Sequence, residues 1–227
     1  MAPKILVVLT SVDKIESINK PCGWFLPEFS HPYDILAAKA EIVVASPKGG
    51  VAPLDPASLD FSKDDEAAMS FYKNKSAVWE NTIPVKDFLG KTDEYAALFY
   101  PGGHGPMFDL ATDANSIKLV QEFVAAGKPV AAVCHGPAAF ANVKLPNGEY
   151  LVKGKTVTGF TNAEEDAMQM TSAMPFLLED ALVNAGAKFV KTEPWGEKVI
   201  TDGLVITGQN PASAAGVGKA ILQSLGI

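Results

Sequence analysis

The chain has 227 residues, 48% of them apolar and 20% charged. That is enough apolar side chain for the core of one large domain, and too much for a disordered chain or a disulfide-stapled miniprotein. Its 26 acidic residues outnumber 19 basic ones for a net charge of −7, and every basic residue is a lysine. The balance argues against nucleic-acid binding, and the missing guanidinium against bidentate clamping of phosphate or carboxylate; a small, weakly polar substrate fits better.

Residues 4–10 (KILVVLT) predict a buried first strand, short, β-branched and apolar on both faces. This run is too short for a secretory leader, and no apolar run approaches the ~18 residues of a membrane span. A polar loop leads to a helix over about 28–40 and a second strand over 41–46 (EIVVAS). Residues 47–92 are too long for an ordinary connection. They carry a predicted helix over 64–72 and read as a cap inserted within one domain spanning 1–227 and leaning over the carboxyl edge of the sheet. A third strand follows over 95–100 (YAALFY), then a helix over 116–126 that stops at Gly127, and a fourth strand over 130–134 (VAAVC). Residues 136–140 turn helical. Short strands are predicted at 156–158, 188–190, 199–201 and 204–207, and a helix over 211–225 closes the chain. Strands alternating with helices predict an α/β fold with a mainly parallel sheet covered on both faces.

The chemistry concentrates where strands end. Cys134 closes a buried strand and His135-Gly136-Pro137 follows at once, the layout of a nucleophile elbow with cysteine in place of serine. Such an elbow is expected to aim the sulfur at the N-terminus of the next helix and lower its pKa. Taken alone, a cysteine ending a strand is also an ordinary core residue. His135 is placed to act as base towards the sulfur. Pro101-Gly102-Gly103-His104-Gly105-Pro106 lies at the same sheet edge and can present backbone amides as an oxyanion hole. Glu28 and His31 are spaced to share one face of the first helix. Glu164 and Glu165 open another helix at the active edge, and either has the chemistry to orient His135; the residues alone do not choose between them. A metal has no tightly spaced ligand pair to bind, and no phosphate loop follows any strand. With Cys22 and Cys134 in unlike contexts, free thiols in a reducing cytoplasm are expected.

AAVCHGP at 131–137, YPGGHG at 100–105, TGFTNAEE at 158–165 and TDGLVITGQNPASA at 201–214 together resemble the ThiJ/PfpI superfamily, in particular its glyoxalase III branch, which also holds heat-shock chaperones. The resemblance implies a flavodoxin-like three-layer sandwich of the class I glutamine amidotransferase type, usually homodimeric. It also implies glutathione-independent conversion of methylglyoxal and related 2-oxoaldehydes to D-lactate, with no metal or organic cofactor. Residue by residue, it implies Cys134 as nucleophile, His135 as its partner, Glu165 rather than Glu164 as triad acid, Glu28 as the buried acid beside the sulfur, and the amides of Gly103 and His135 as oxyanion donors. His104 and His31 are expected in the substrate pocket. Protein deglycation and a redox-responsive holdase role are the alternatives. An amidotransferase is excluded because no histidine follows His135.

Overall fold

The computed structural model describes residues 2–227. In chain order the strands are β1 (Lys4–Val8), β2 (Lys14–Ile15), β3 (Lys20–Pro21), β4 (Glu41–Ser46), β5 (Ile83–Pro84) and β6 (Ala97–Tyr100). They continue with β7 (Val130–Val133), β8 (Thr156–Val157), β9 (Lys188–Phe189), β10 (Val199–Asp202) and β11 (Val205–Gly208). The α-helices are α1 (Leu26–Ala37), α2 (Pro56–Phe61), α3 (Glu66–Asn74), α4 (Ala77–Glu80) and α5 (Ala114–Ala125). After them come α6 (Ala138–Ala141), α7 (Asn162–Ala167), α8 (Leu178–Asn184) and α9 (Ala214–Leu225).

Seven strands form one sheet in the order β10-β11-β7-β6-β1-β4-β5, parallel throughout except for the β10–β11 hairpin. β6 and β7 are wholly buried, and β1 nearly so, as strands covered on both faces must be. α1 and α9 pack on each other, with α9 also against β7 and β11; α5 covers β6 and β7 from the other side and touches α6, which packs on α8. This is the expected three-layer α/β sandwich. From β1 the chain steps one way to β4 and β5, then crosses to β6 on β1's other side. The crevice at that reversal, beyond the carboxyl ends of β1 and β6, is where open α/β sheets bind ligands.

Three of the expected strands differ in detail. Residues 156–158 and 188–190 do not join the main sheet; β8 and β9 pair only with each other. Residues 199–201 fold back on 204–207 as an antiparallel hairpin rather than entering by crossovers. Two-residue pairings carry too little periodicity to be assigned to a sheet from sequence. The β2–β3 hairpin and α8 gave no signal that the sequence reading used.

Residues 47–92 hold α2, α3 and α4, and then add β5 to the sheet edge beside β4. They are fastened by aromatic packing. Trp24 lies 5.3 Å from Trp79 and 5.7 Å from Phe29, which lies 5.4 Å from Phe71. Edge-on and tilted contacts of this kind add ~0.5–1.5 kcal/mol each beyond area burial. They fix the start of α1, and so the position of Glu28, against the inserted segment. Among the described residues no helix is long and apolar enough to cross a membrane.

Candidate active site

β7 ends at Val133, and the next residue, Cys134, has φ of +60°, a left-handed conformation rare outside glycine. It is stapled there from both sides: the Cys134 amide donates to Gly208 O at 3.0 Å and the Phe160 amide donates to Cys134 O at 2.8 Å. Such strain, of order 1–3 kcal/mol, persists only where the surroundings over-determine it. The elbow turns the sulfur towards His135, whose Nδ1 lies 3.4 Å from Sγ.

The carboxylate of Glu165, in the first turn of α7, receives two imidazoles. His135 Nε2 stands 2.6 Å from Oε2, and His104 Nε2 stands 2.8 Å from Oε1. Burial raises the Glu165 pKa, but the two histidines outweigh it and hold the carboxyl well below its ordinary range. An ionised carboxylate only accepts hydrogen bonds, so both Nε2 atoms carry the proton. With Nε2 donating to Glu165, Nδ1 is the His135 ring nitrogen that faces the thiol. His104, whose pKa is lowered by burial and by the neighbouring His135, stays neutral and lies 4.4 Å, ring to ring, from His135. The sequence reading placed His104 in the pocket but missed its grip on Glu165. The glycine-rich turn that swings it inward was the available signal.

Glu164 is separated from Glu165 by one residue step, about 100° around the helix, and faces elsewhere. Its Oε2 accepts from the Thr161 amide (3.0 Å) and hydroxyl (2.8 Å), closing a capping box at the start of α7. Its Oε1 accepts from the Trp195 amide at 2.8 Å, Asn210 Nδ2 at 2.8 Å and Gln209 Nε2 at 3.2 Å. Glu164 is a structural anchor and Glu165 is the acid that meets the histidines. Replacing Glu164 with alanine strands several buried donors, each costing about 1–3 kcal/mol. A fall in Tm of roughly 6–12 °C is expected; a calorimetric Tm within a degree of wild type would remove the anchor role.

Glu28 sits in the first turn of α1 and is completely buried. Neither carboxyl oxygen has a hydrogen-bond partner of full geometry among the described residues. Burial pushes its pKa up to about 8, with Asp55 adding to the rise and the nearby Cys134 thiol and Gly102 and Gly103 amides opposing it. A Cβ on Gly102 would stand 2.5 Å from Glu28 Oε2 and 2.8 Å from the His135 nitrogen. Only glycine lets the β6 turn pass between acid and elbow. Gly103 follows with φ of +97°, and its amide lowers the pKa of both Glu28 and the Cys134 thiol, against the larger effect of burial. Neither the Gly103 nor the His135 N–H donates to a backbone carbonyl among the described residues, so both are available to an incoming oxygen.

Two expectations fail. Cys134 does not have a lowered pKa: burial, then the charge of Glu28 and its hydrogen bond, push the thiol well above its ordinary value. The following helix, α6, is one turn long and starts only at Ala138, too short and too distant for its dipole to offset desolvation. His31 is not in the pocket. Its Nε2 bonds Asp65 Oδ2 at 2.8 Å, while Asp65 Oδ1 caps α3 through the Ala68 amide. The spacing of Glu28 and His31 was read correctly as helical, but α1 turns Glu28 towards Cys134 and His31 towards α3.

Cys134, His135, His104, Gly103 and Glu28 line a cavity of about 100 Å³, with Asp55, Ala57 and Phe61 of the inserted segment on one side. Drug-sized ligands need several times that volume. Lys20 from the β2–β3 hairpin also reaches it. His104, His135 and Glu165 bring three potential metal-ligand atoms within 4.8 Å of one another, but those groups are already hydrogen-bonded together. The set suits an acid–base relay behind a nucleophile.

A model of the DJ-1/PfpI family matches residues 26–224. The chain is 34% identical to a Saccharomyces cerevisiae protein named glutathione-independent glyoxalase HSP31, over 94% of each. The crystal structure of glyoxalase III from Candida albicans is similar with a TM-score of 0.86 and 31% identity, covering 98% of this chain and 97% of that one. The structure of the 24 kDa rapid encystment protein of Francisella tularensis gives a TM-score of 0.92 at 38% identity, covering 98% and 99%.

Proposed function

Because the chain belongs to the DJ-1/PfpI family, we propose that it is a glutathione-independent glyoxalase, turning methylglyoxal and related 2-oxoaldehydes into 2-hydroxy acids, D-lactate from methylglyoxal. The single observation that carries the chemistry is the Sγ of Cys134 at 3.4 Å from an imidazole whose far nitrogen is held by Glu165, inside a cavity of about 100 Å³.

The thiol is protonated at rest, so attack is assisted. As sulfur bonds to the aldehyde carbon, His135 Nδ1 takes the thiol proton and the amides of Gly103 and His135 receive the developing oxyanion. Each such donor is worth about 3–4 kcal/mol in a site closed to water. His135 returns the proton to that oxygen, leaving a neutral hemithioacetal and a free base. The base removes the proton from C1, the enediol collapses with protonation at C2, and a thioester of the 2-hydroxy acid remains. Water cleaves it, releasing the acid and restoring the thiol. The net change is addition of one water, with no external oxidant or reductant. Glu28, protonated below about pH 8, keeps a second negative charge away from the sulfur as the thiol gives up its proton.

Purified protein given methylglyoxal without any added thiol is expected to release D-lactate; an absence of lactate under those conditions defeats the reading. A redox-sensing role would call for an exposed, acidic thiol, whereas Cys134 is 4% exposed and its pKa is raised. The homodimer, the cytoplasmic location and the action of residues 47–92 as a cap belong to the same proposal.

A further inference from the structure

The catalytic groups occupy the floor of the cavity, and its small volume leaves a larger substituent on the 2-oxoaldehyde no direction but the mouth. Much of the rest of the lining is apolar. Phe25, Phe61, Phe160, Met168 and Trp195 all line the cavity, beside Lys20 and Asp55, and three of the five are large apolar side chains left exposed: Phe61 at 62%, Trp195 at 46% and Met168 at 38%. They come from separate parts of the chain, at the end of α2, just after α7, and between β9 and β10. Apolar groups left in water on one rim, beside a site, mark a surface that gains from being covered.

The rim is held in place. Trp195 has φ of +66°, a conformation unfavourable for a bulky side chain, and its amide is fixed at 2.8 Å to Glu164 Oε1. Its ring meets Phe160 edge-on at 5.7 Å, and Phe160 in turn lies 4.4 Å from the His135 ring. Across the mouth, Phe61 rests on Phe25 at 5.3 Å. Gln169, next to Met168, also has a positive φ of 57°. The acid adjacent to the triad acid thus anchors an aromatic wall that runs to the imidazole, and strained backbone of this kind clusters where ligands are clamped.

We propose that Phe61 and Trp195 form a subsite for the substituent of the substrate, favouring aryl over methyl 2-oxoaldehydes; this rests on the glyoxalase reading. The probe is phenylglyoxal, whose product is mandelate, compared with methylglyoxal in kcat/KM. Trp195→Ala and Phe61→Ala, on two different elements, should each lower kcat/KM for phenylglyoxal about tenfold more than for methylglyoxal, mainly through KM, as the loss of apolar contact in a pocket does. Trp195→Phe should keep most of the wild-type ratio. Equal fractional losses for both substrates in both alanine variants overturn the subsite and leave the glyoxalase intact. If wild type turns over neither aldehyde, the glyoxalase reading falls instead. The rates of Cys134 alkylation by 2-bromoacetophenone and bromoacetone, each divided by its rate with a free thiol, then decide the subsite: a ratio that drops in Trp195→Ala supports it, and an unchanged ratio ends it.

Discussion

Replacement of Cys134 by serine is expected to lower the rate of lactate formation from methylglyoxal by roughly 10⁴–10⁶-fold, the loss typical of removing a nucleophile from an otherwise intact triad, while the protein still folds. The oxygen is nearly isosteric with sulfur, but it is a poorer nucleophile and its proton is far harder to remove. His135 at 3.4 Å suits a large sulfur; a shorter C–O bond draws the nucleophile back from both the base and the substrate. Folding should be little affected. Cys134 takes φ of +60° because its carbonyl and amide are fixed by Phe160 and Gly208, and serine has the same backbone strain to bear. Its hydroxyl faces Glu28, which below about pH 8 offers a proton. A Tm within ~3 °C of wild type is therefore expected, measured alongside D-lactate release. Near wild-type turnover would dismiss covalent catalysis at this residue, and a protein that fails to fold would show the elbow to be a packing device first.

Much of the sheet was legible because burial on both faces leaves a strong mark. β1, β4, β6 and β7 are short runs of β-branched and other apolar residues, and each ends at the expected edge. The Cys134 elbow was legible for a related reason: Gly136-Pro137 directly after a buried strand permits few backbone paths. The choice between Glu164 and Glu165 was not, since it depends on a rotation of about 100° set by the capping box at Thr161 and by Trp195, Gln209 and Asn210, all distant in sequence or unremarkable in it. His31 was misplaced because helical spacing says which side chains are neighbours on a surface, not what lies opposite each of them. The acidity of Cys134 was misjudged for want of depth. A dipole argument assumes partial exposure, and near-complete burial beside a carboxyl reverses its outcome.

That carboxyl supplies the second large effect. Glu28→Gln is expected to slow turnover by about 10²-fold or more, the usual weight of a positioned acid, and yet to stabilise the protein. In the folded chain the Glu28 pKa is raised to about 8 by burial, against an ordinary value of 4.5. Between those two values the folded state holds a proton that the unfolded state has lost, so the contribution of this group is at its best below pH 4.5 and declines as pH rises to about 8. Above pH 8 the folded protein carries an ionised carboxylate with no full hydrogen-bond partner. Glutamine has nothing to ionise and leaves that window flat. Wild type and variant should therefore melt at similar temperatures near pH 5, and the variant should melt higher by roughly 5–10 °C at pH 8.5, for a difference of a few kcal/mol. Over the same range the wild-type rate should fall above pH 8, as a charged Glu28 opposes negative charge on the sulfur, while the slow variant shows no such limb. Asp55 and Cys134 also act on Glu28, and Glu28 in turn raises the Cys134 thiol, so the difference reads the Glu28–Cys134 pair. A variant that melts lower at pH 8.5, or one that keeps both the wild-type rate and its alkaline limb, would mean that Glu28 is ionised at rest and that the sulfur takes its proton from elsewhere.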